Sequence, residues 1–182
     1  MSYSPRTILV GAAVSFALTT LARAADTDSL GIGYVASPAQ IAGWDIDVRA
    51  DGQGLPPGHG SVRDGEKIFA ETCAACHGAK GEGKLADRLV GGFGTLATSK
   101  PVRTVGSYWP YASTLFDYIR RAMPFNAPQS LTANQVYAVS AYILYLNNIV
   151  TEDTVLDATS LPRLEMPNRN GLTSPDPRPD VP

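Results

Sequence analysis

An all-α fold, a small helical core between two irregular arms, is expected from three observations. Apolar residues recur at helical spacing in two separate stretches, one reaching Ile68 and Phe69 and the other running through Val136, Val139, Ile143, Leu144 and Leu146. Glycine and proline crowd the flanks, as in Gly52 to Gly58 and again from Leu161 to Pro182, where neither a helix nor a central strand can continue. Between these flanks the first helical stretch runs into Cys73-Ala74-Ala75-Cys76-His77, which contains the only two cysteines of the chain.

The elements follow in order. Residues 1–24 have the layout of an export signal: Arg6, an apolar run from Ile8 to Ala22, and the small-x-small site Ala22-Arg23-Ala24. The run is shorter than the roughly 18–20 apolar residues of a spanning helix, so cleavage near Ala24 is expected, with the mature chain exported to a periplasm and no membrane span in it. Residues 25–60 are expected to form an extended or looped arm. Its apolar Tyr34, Ile41, Trp44, Ile46 and Val48 need a surface, either the core or a partner.

The core is placed at residues 61–150. Ser61 is the expected N-cap of its first helix, with Asp64 in the first turn, and Gly78, Gly81 and Gly83 end it after the cysteine motif. A loop from Gly91 to Tyr111 leads to a short helix over Leu115 to Ala122, which stops before Pro124. Thr132-x-x-Gln135 has the form of a capping box opening the last helix. Past Val150 the periodicity lapses, and residues 151–182 are expected to form a Pro-rich, peripheral extension.

Cys-x-x-Cys-His is the attachment pattern of a c-type haem. Two cysteines one helical turn apart reach the two vinyl groups on one edge of a porphyrin and become thioethers, while His77 brings an imidazole nitrogen under the iron. A redox dithiol or half a zinc site would use the same residues. No further cysteine completes a zinc site, no βαβ pattern surrounds the motif, and an export signal precedes it. One motif implies one haem c.

The sixth ligand is sought among Met123 and Met166, the only methionines after Met1, each followed by a proline that favours extended backbone. Met123 is the better placed, lying between two core helices, and Met166 falls in the tail. His59, the other imidazole, sits in a Gly-rich stretch where an exposed histidine is the ordinary expectation. An iron closed by two protein ligands passes electrons rather than binding substrate. Tyr108, Trp109 and Tyr111 read as haem packing or a docking surface. Arg103, Arg120 and Arg121 are candidates for the propionates or for solvated charge.

The signal holds two of the 15 basic residues and none of the 17 acidic ones, so the mature chain carries a formal −4. This argues against nucleic acid or an anionic membrane as partner, and it fits docking to a basic patch on another protein.

Residues 61–150 resemble a class I cytochrome c domain: a first helix carrying Cys-x-x-Cys-His, a Met-Pro loop and a last helix that crosses the first. The flanks narrow the likeness. Trp44 to Val48, Gly52 to Gly58, Gly106 to Ala112, Phe116 to Pro124 and Met166-Pro167-Asn168-Arg169 resemble the cytochrome subunit of the Sox-type sulfane or sulfite dehydrogenases of bacterial sulfur oxidation. The resemblance spans roughly Gly31 to Leu172. It implies haem attached at Cys73 and Cys76, His77 and Met123 as axial ligands, electrons received from a molybdenum-cofactor subunit, and delivery to a small soluble cytochrome c. It implies no substrate chemistry of the chain's own. Some cytochromes of that family carry two haems, and this sequence has a single motif. A free-standing electron shuttle would need only the core, and a haem sensor would need a labile sixth ligand, against which the Met-Pro loop argues.

Overall fold

The computed structural model describes residues 32–173, in two units divided between Pro38 and Ala39. The export signal expected over 1–24 lies outside the described residues. In the first unit, residues 32–37 form no regular element, and Ile32, Tyr34 and Val35 are exposed. Pro38–Trp44 is a helix, α1, where the sequence reading expects extended or looped chain. Ser37-Pro38 is a helix-opening dipeptide, and no breaker follows until Gly43.

The second unit is built on three helices. Val62–Thr72 (α2) and Ala133–Leu146 (α5) cross, and Ala112–Ala122 (α4) packs against α5. Ala74–His77 makes a single further turn, α3. Both expected helix starts are present. The Ser61 side chain accepts from the Asp64 N–H at 3.1 Å, while Thr132 and Gln135 exchange side-chain bonds in a complete capping box. Every residue of α5 from Val136 to Leu144 is buried, because α2, α4 and a short β ribbon cover it from different sides. Sequence spacing alone shows a stripe there; the contacts make it the central helix.

The crossing of α2 and α5 is close. A Cβ at Gly65 would stand 1.9 Å from the Ala138 carbonyl oxygen and 2.8 Å from the Tyr142 Cβ, so only glycine permits this approach. One turn on, the Phe69 and Tyr142 rings meet with centroids 5.4 Å apart. Their burial supplies the apolar stabilisation of the crossing, about 1.5–3 kcal/mol for each large side chain.

Two parts of the flanks prove to be core. His59–Ser61 (β1) pairs antiparallel with Val155–Asp157 (β2), His59 opposite Asp157, a ribbon absent from the sequence reading. The C-terminal segment is not peripheral throughout: Leu156, Leu161 and Met166 are each at most 1% exposed and belong to the main apolar cluster. Proline in Leu161–Arg163 suits the short 3₁₀ turn there, which buries its leucine without needing a long helix.

Residues 46–50 form a strap across α4. Val48 is buried and its N–H donates to Asp117 Oδ1 at 2.8 Å; Arg120 donates to the Ile46 carbonyl at 3.1 Å, and the Ser113 hydroxyl to the Ala50 carbonyl at 2.9 Å. Arg121 closes the group by pairing with Asp117 Oδ2. Nearby, the Tyr137 ring packs on Phe116 and its hydroxyl donates to the Pro56 carbonyl at 2.9 Å. Among the described residues, no helix is long and apolar enough to cross a membrane.

Candidate haem site

α2 ends at Thr72, and Cys73 marks the break, with φ −116° and ψ −37°. The Cys73 N–H still bonds to the Phe69 carbonyl (2.9 Å) and the His77 N–H to the Cys73 carbonyl (3.0 Å), so the chain continues as one turn of helix. Both thiols are free, Cys73 half-buried against the apolar cluster and Cys76 exposed. Gly78, at φ 85°, then turns the chain in a conformation side chains rarely allow.

The loop that follows folds back over the motif. Leu85 and Ala86 both donate their N–H to the Cys76 carbonyl at 2.9 Å, and Gly83 donates to that of His77 at 2.7 Å. His77 Nδ1 lies 2.8 Å from the Asp87 carbonyl oxygen. A carbonyl can only accept, so Nδ1 carries a proton, and in the neutral ring Nε2 is the nitrogen with the lone pair. That is the tautomer in which an imidazole binds a metal, with the ring held by its other nitrogen. The sequence reading names His77 and misses Asp87, because a backbone carbonyl leaves no mark in a sequence.

Burial pushes the Cys73 thiol up; the Thr72 hydroxyl, 3.4 Å from its sulfur, pulls it down less, and Cys76 raises it further. A thiol held above its ordinary range is a weak nucleophile at neutral pH, unlike the low-pKa thiol of a redox dithiol. Among the described residues no group of three or more His, Cys, Asp and Glu gathers in a metal-holding cluster.

The two methionines are placed differently. Met123 closes α4 in extended conformation, φ −121° and ψ 147°, and is half-buried against the apolar cluster. Met166 is 1% exposed, inside the cluster. His59 lies exposed on β1, its N–H donating to Asn134 Oδ1 at 3.0 Å. Trp109 packs edge-on to Tyr118, centroids 5.7 Å apart. Of the candidate arginines, Arg120 and Arg121 are engaged in the strap and Arg103 stands over the Tyr108 ring; Arg169, not among them, stands over that of Tyr111.

The site is also braced from the far side. Asn147, 1% exposed, donates to the Leu89 and Ile143 carbonyls at 3.1 and 2.9 Å and accepts from the Gly91 N–H at 3.2 Å. The Thr104 hydroxyl donates to the Gly91 carbonyl at 2.6 Å. These polar anchors of the loop were not found in the sequence, where each is a lone polar residue.

Two thiols and an imidazole with its Nε2 free, on one turn at the end of a helix that crosses the last one, fit a c-type haem, and the fold is that of a class I cytochrome c. Residues 60–143 match the family described as cytochrome c oxidase, cbb3-type, subunit III. The chain is 31% identical over 83 residues to a thiosulfate dehydrogenase of Psychrobacter arcticus, an alignment covering 46% of this chain and 25% of that protein. It thus spans about a quarter of the length of this curated relative. It is similar to a chain in the crystal structure of the sulfane dehydrogenase SoxCD from Paracoccus pantotrophus, with TM-score 0.77 and 45% identity, covering 82% of this chain and 74% of that one. The chain belongs to the family of Sox-type cytochrome c subunits, which carry haem c.

Proposed function

We propose that this protein is a monohaem c-type cytochrome that accepts electrons from a molybdenum-cofactor sulfane or sulfite dehydrogenase subunit. It passes them to a small soluble cytochrome c in the periplasm, after a signal is removed near Ala24. In this reading Cys73 and Cys76 would hold the haem as thioethers, and His77 Nε2 and the Met123 thioether would bind its iron. The bound haem supplies an iron that cycles between ferric and ferrous states. The chain would attach it at the two cysteines and fix the imidazole through Asp87, and with two protein ligands the iron would offer substrate no open coordination site.

The observation that carries this reading is the His77 to Asp87 bond, which leaves Nε2 free beside two unpaired cysteines. Met123 is favoured over Met166 because the latter is packed inside the apolar cluster, whereas Met123 keeps part of its surface open. The likeness to a SoxCD chain over 82% of the sequence supports the molybdenum partner. A free-standing shuttle explains residues 46–61 and 155–166, which serve the core. It leaves the 87% exposed Trp44 and the 54% exposed Ile41 without a role.

The test uses the matured protein. Its haem should survive acid-acetone extraction and give a c-type pyridine haemochrome. Met123→Ala should abolish the far-red charge-transfer band of ferric haem, lower the potential and admit imidazole, while Met166→Ala should lower stability and leave that band in place. Sulfite or a sulfane donor should reduce the haem only with the partner subunit present. Rapid, saturable reduction by the sulfur compound alone would make the cytochrome itself the enzyme and overturn the reading.

A further inference from the structure

We propose that Asn147, at the end of α5, is a positioning residue for the iron ligand: it holds the Asp87 carbonyl against His77 Nδ1 and so sets the electron-donating strength of the imidazole. This rests on the reading that His77 Nε2 binds the iron of a haem held at Cys73 and Cys76. An imidazole whose N–H is firmly bonded is the stronger donor and favours ferric iron, and the same ring with a slack bond favours ferrous iron. The placing of one carbonyl oxygen, 2.8 Å from Nδ1, therefore bears on the reduction potential.

The side chains on either side of that carbonyl, Asp87 and Arg88, are exposed, so its position is set by what holds the neighbouring backbone. On the near side the Leu85 and Ala86 amides bond to the Cys76 carbonyl, which ties the loop to the motif itself. On the far side the Leu89 N–H donates to the Gly81 carbonyl at 2.8 Å, a bond inside the loop that moves with it. The polar ties from there to the rest of the molecule come from Asn147 and Thr104. Asn147 Nδ2 donates to the Leu89 carbonyl at 3.1 Å and its Oδ1 accepts the Gly91 N–H at 3.2 Å, while the Thr104 hydroxyl donates to the Gly91 carbonyl at 2.6 Å. The Leu89 side chain also packs on the apolar cluster, but apolar packing is non-directional and does not aim a peptide group; a carboxamide gripping one donor and one acceptor does.

Asn147 is itself firmly held. It is 1% exposed, its Nδ2 also donates to the Ile143 carbonyl at 2.9 Å, and the Gly106 backbone lies so close that a Cβ there would stand 2.2 Å from Asn147 Oδ1. The position calls for a carboxamide: a carboxylate would lack the donors for Leu89 and Ile143, and leucine would supply the shape with neither donor nor acceptor. The helix that carries Asn147 crosses α2 at Gly65, and α2 leads straight into the cysteine motif. A closed frame results, from His77 through Asp87, Leu89, Asn147, α5 and α2 back to His77. Asn147 is the side chain that closes it.

The test uses reduced holoprotein carrying isotope-labelled histidine, in which only His59 and His77 give signals. Asn147→Leu keeps size and charge and removes both bonds to the loop. In this variant the His77 Nδ1–H proton resonance should move upfield, as a weakened hydrogen bond requires, and the midpoint potential should rise. Thr104→Val, also neutral, should move both in the same direction by less, and it decides the matter alone if Asn147→Leu yields no folded holoprotein. Tyr137→Phe loses a buried hydroxyl bond outside this loop, so it should lower stability and move neither signal. A resonance and potential that stay at the parent's values, a potential that falls, or equal shifts in Tyr137→Phe would overturn the proposal. Parent holoprotein in which neither histidine ring shows the large upfield shift of a haem ligand would instead sink the axial assignment of His77, and this inference with it.

Discussion

Where α2 crosses α5, the Gly65 backbone meets the Ala138 backbone and a Phe69–Tyr142 ring pair seals the contact. Where the 46–50 strap crosses α4, contact is made by hydrogen bonds from Asp117, Arg120 and Ser113 to main-chain groups. The first region has no room for an added atom and loses nothing polar if disturbed. The second has room, and cannot lose an acceptor without leaving a buried N–H unpaired. Two elements of similar burial are therefore vulnerable to opposite kinds of substitution.

The largest effect should come from Gly65→Ala, whose new methyl would meet a carbonyl oxygen at 1.9 Å with no flexible side chain to yield. Destabilisation of about 3 kcal/mol or more is expected, enough to lower the urea midpoint sharply or the yield of folded holoprotein. A midpoint within error of the parent's would show that the helices can slide apart, and the comparison would fail on its first side.

Asp117→Ala comes next. It strips the Val48 N–H of its acceptor and leaves Arg121 unpaired, for an expected loss of about 2–3 kcal/mol. Combined with Arg121→Ala the loss should be less than additive, since the two share a contact. Additivity would mean that the Arg121 pairing contributes nothing and that Asp117 acts through the Val48 N–H alone.

Tyr137 links the two regions, its ring on Phe116 and its hydroxyl on Pro56. Tyr137→Phe should cost about 1 kcal/mol at neutral pH. Burial, with smaller influences of Asp157 raising and Arg120 lowering, pushes the phenol from its ordinary 10.0 up to about 12. The unfolded chain thus gives up this proton first, so the contribution is intact below about pH 10 and is lost as pH climbs toward about 12. Chemical denaturation across that window should show the decline in the parent and a shallower one in Tyr137→Phe.

The smallest effect is expected at Ser140, a fully buried residue of α5 whose hydroxyl has no partner among the described residues. Ser140→Ala should change stability by no more than about 0.5 kcal/mol, or raise it slightly. A clear loss would mean the hydroxyl is satisfied by a buried water.

What could be read from the sequence was local. Ser61 with Asp64 and Thr132 with Gln135 signal their helix starts within one turn, Phe69 and the α5 residues declare themselves by spacing, and the cysteine motif is five residues long. What escaped was long-range and polar. Val48 finds Asp117 across 69 positions and Gly91 finds Asn147 across 56, and such bonds have no period to detect. Leu161 and Met166 escaped for another reason: they are isolated apolar residues in a Pro-rich segment, and long-range contacts, the β1–β2 pairing among them, carry that segment back to the core.

Asn147 has a consequence for how the molecule breathes. Its side chain occupies the Gly91 amide and the Leu89 carbonyl from a backbone position whose own N–H closes the end of α5 on Ile143. Deuterium can reach the Gly91 amide only when the Asn147 side chain lets go, and that side chain is buried and bonded to the Leu89 and Ile143 carbonyls as well. The middle of a long irregular loop should therefore exchange with the slow kinetics of a central helix, as part of the same cooperative opening unit. Phe93 and Gly94, a few residues on and exposed, lie beyond that clamp. A sharp step in protection between Gly91 and Gly94 would mark the edge of the unit.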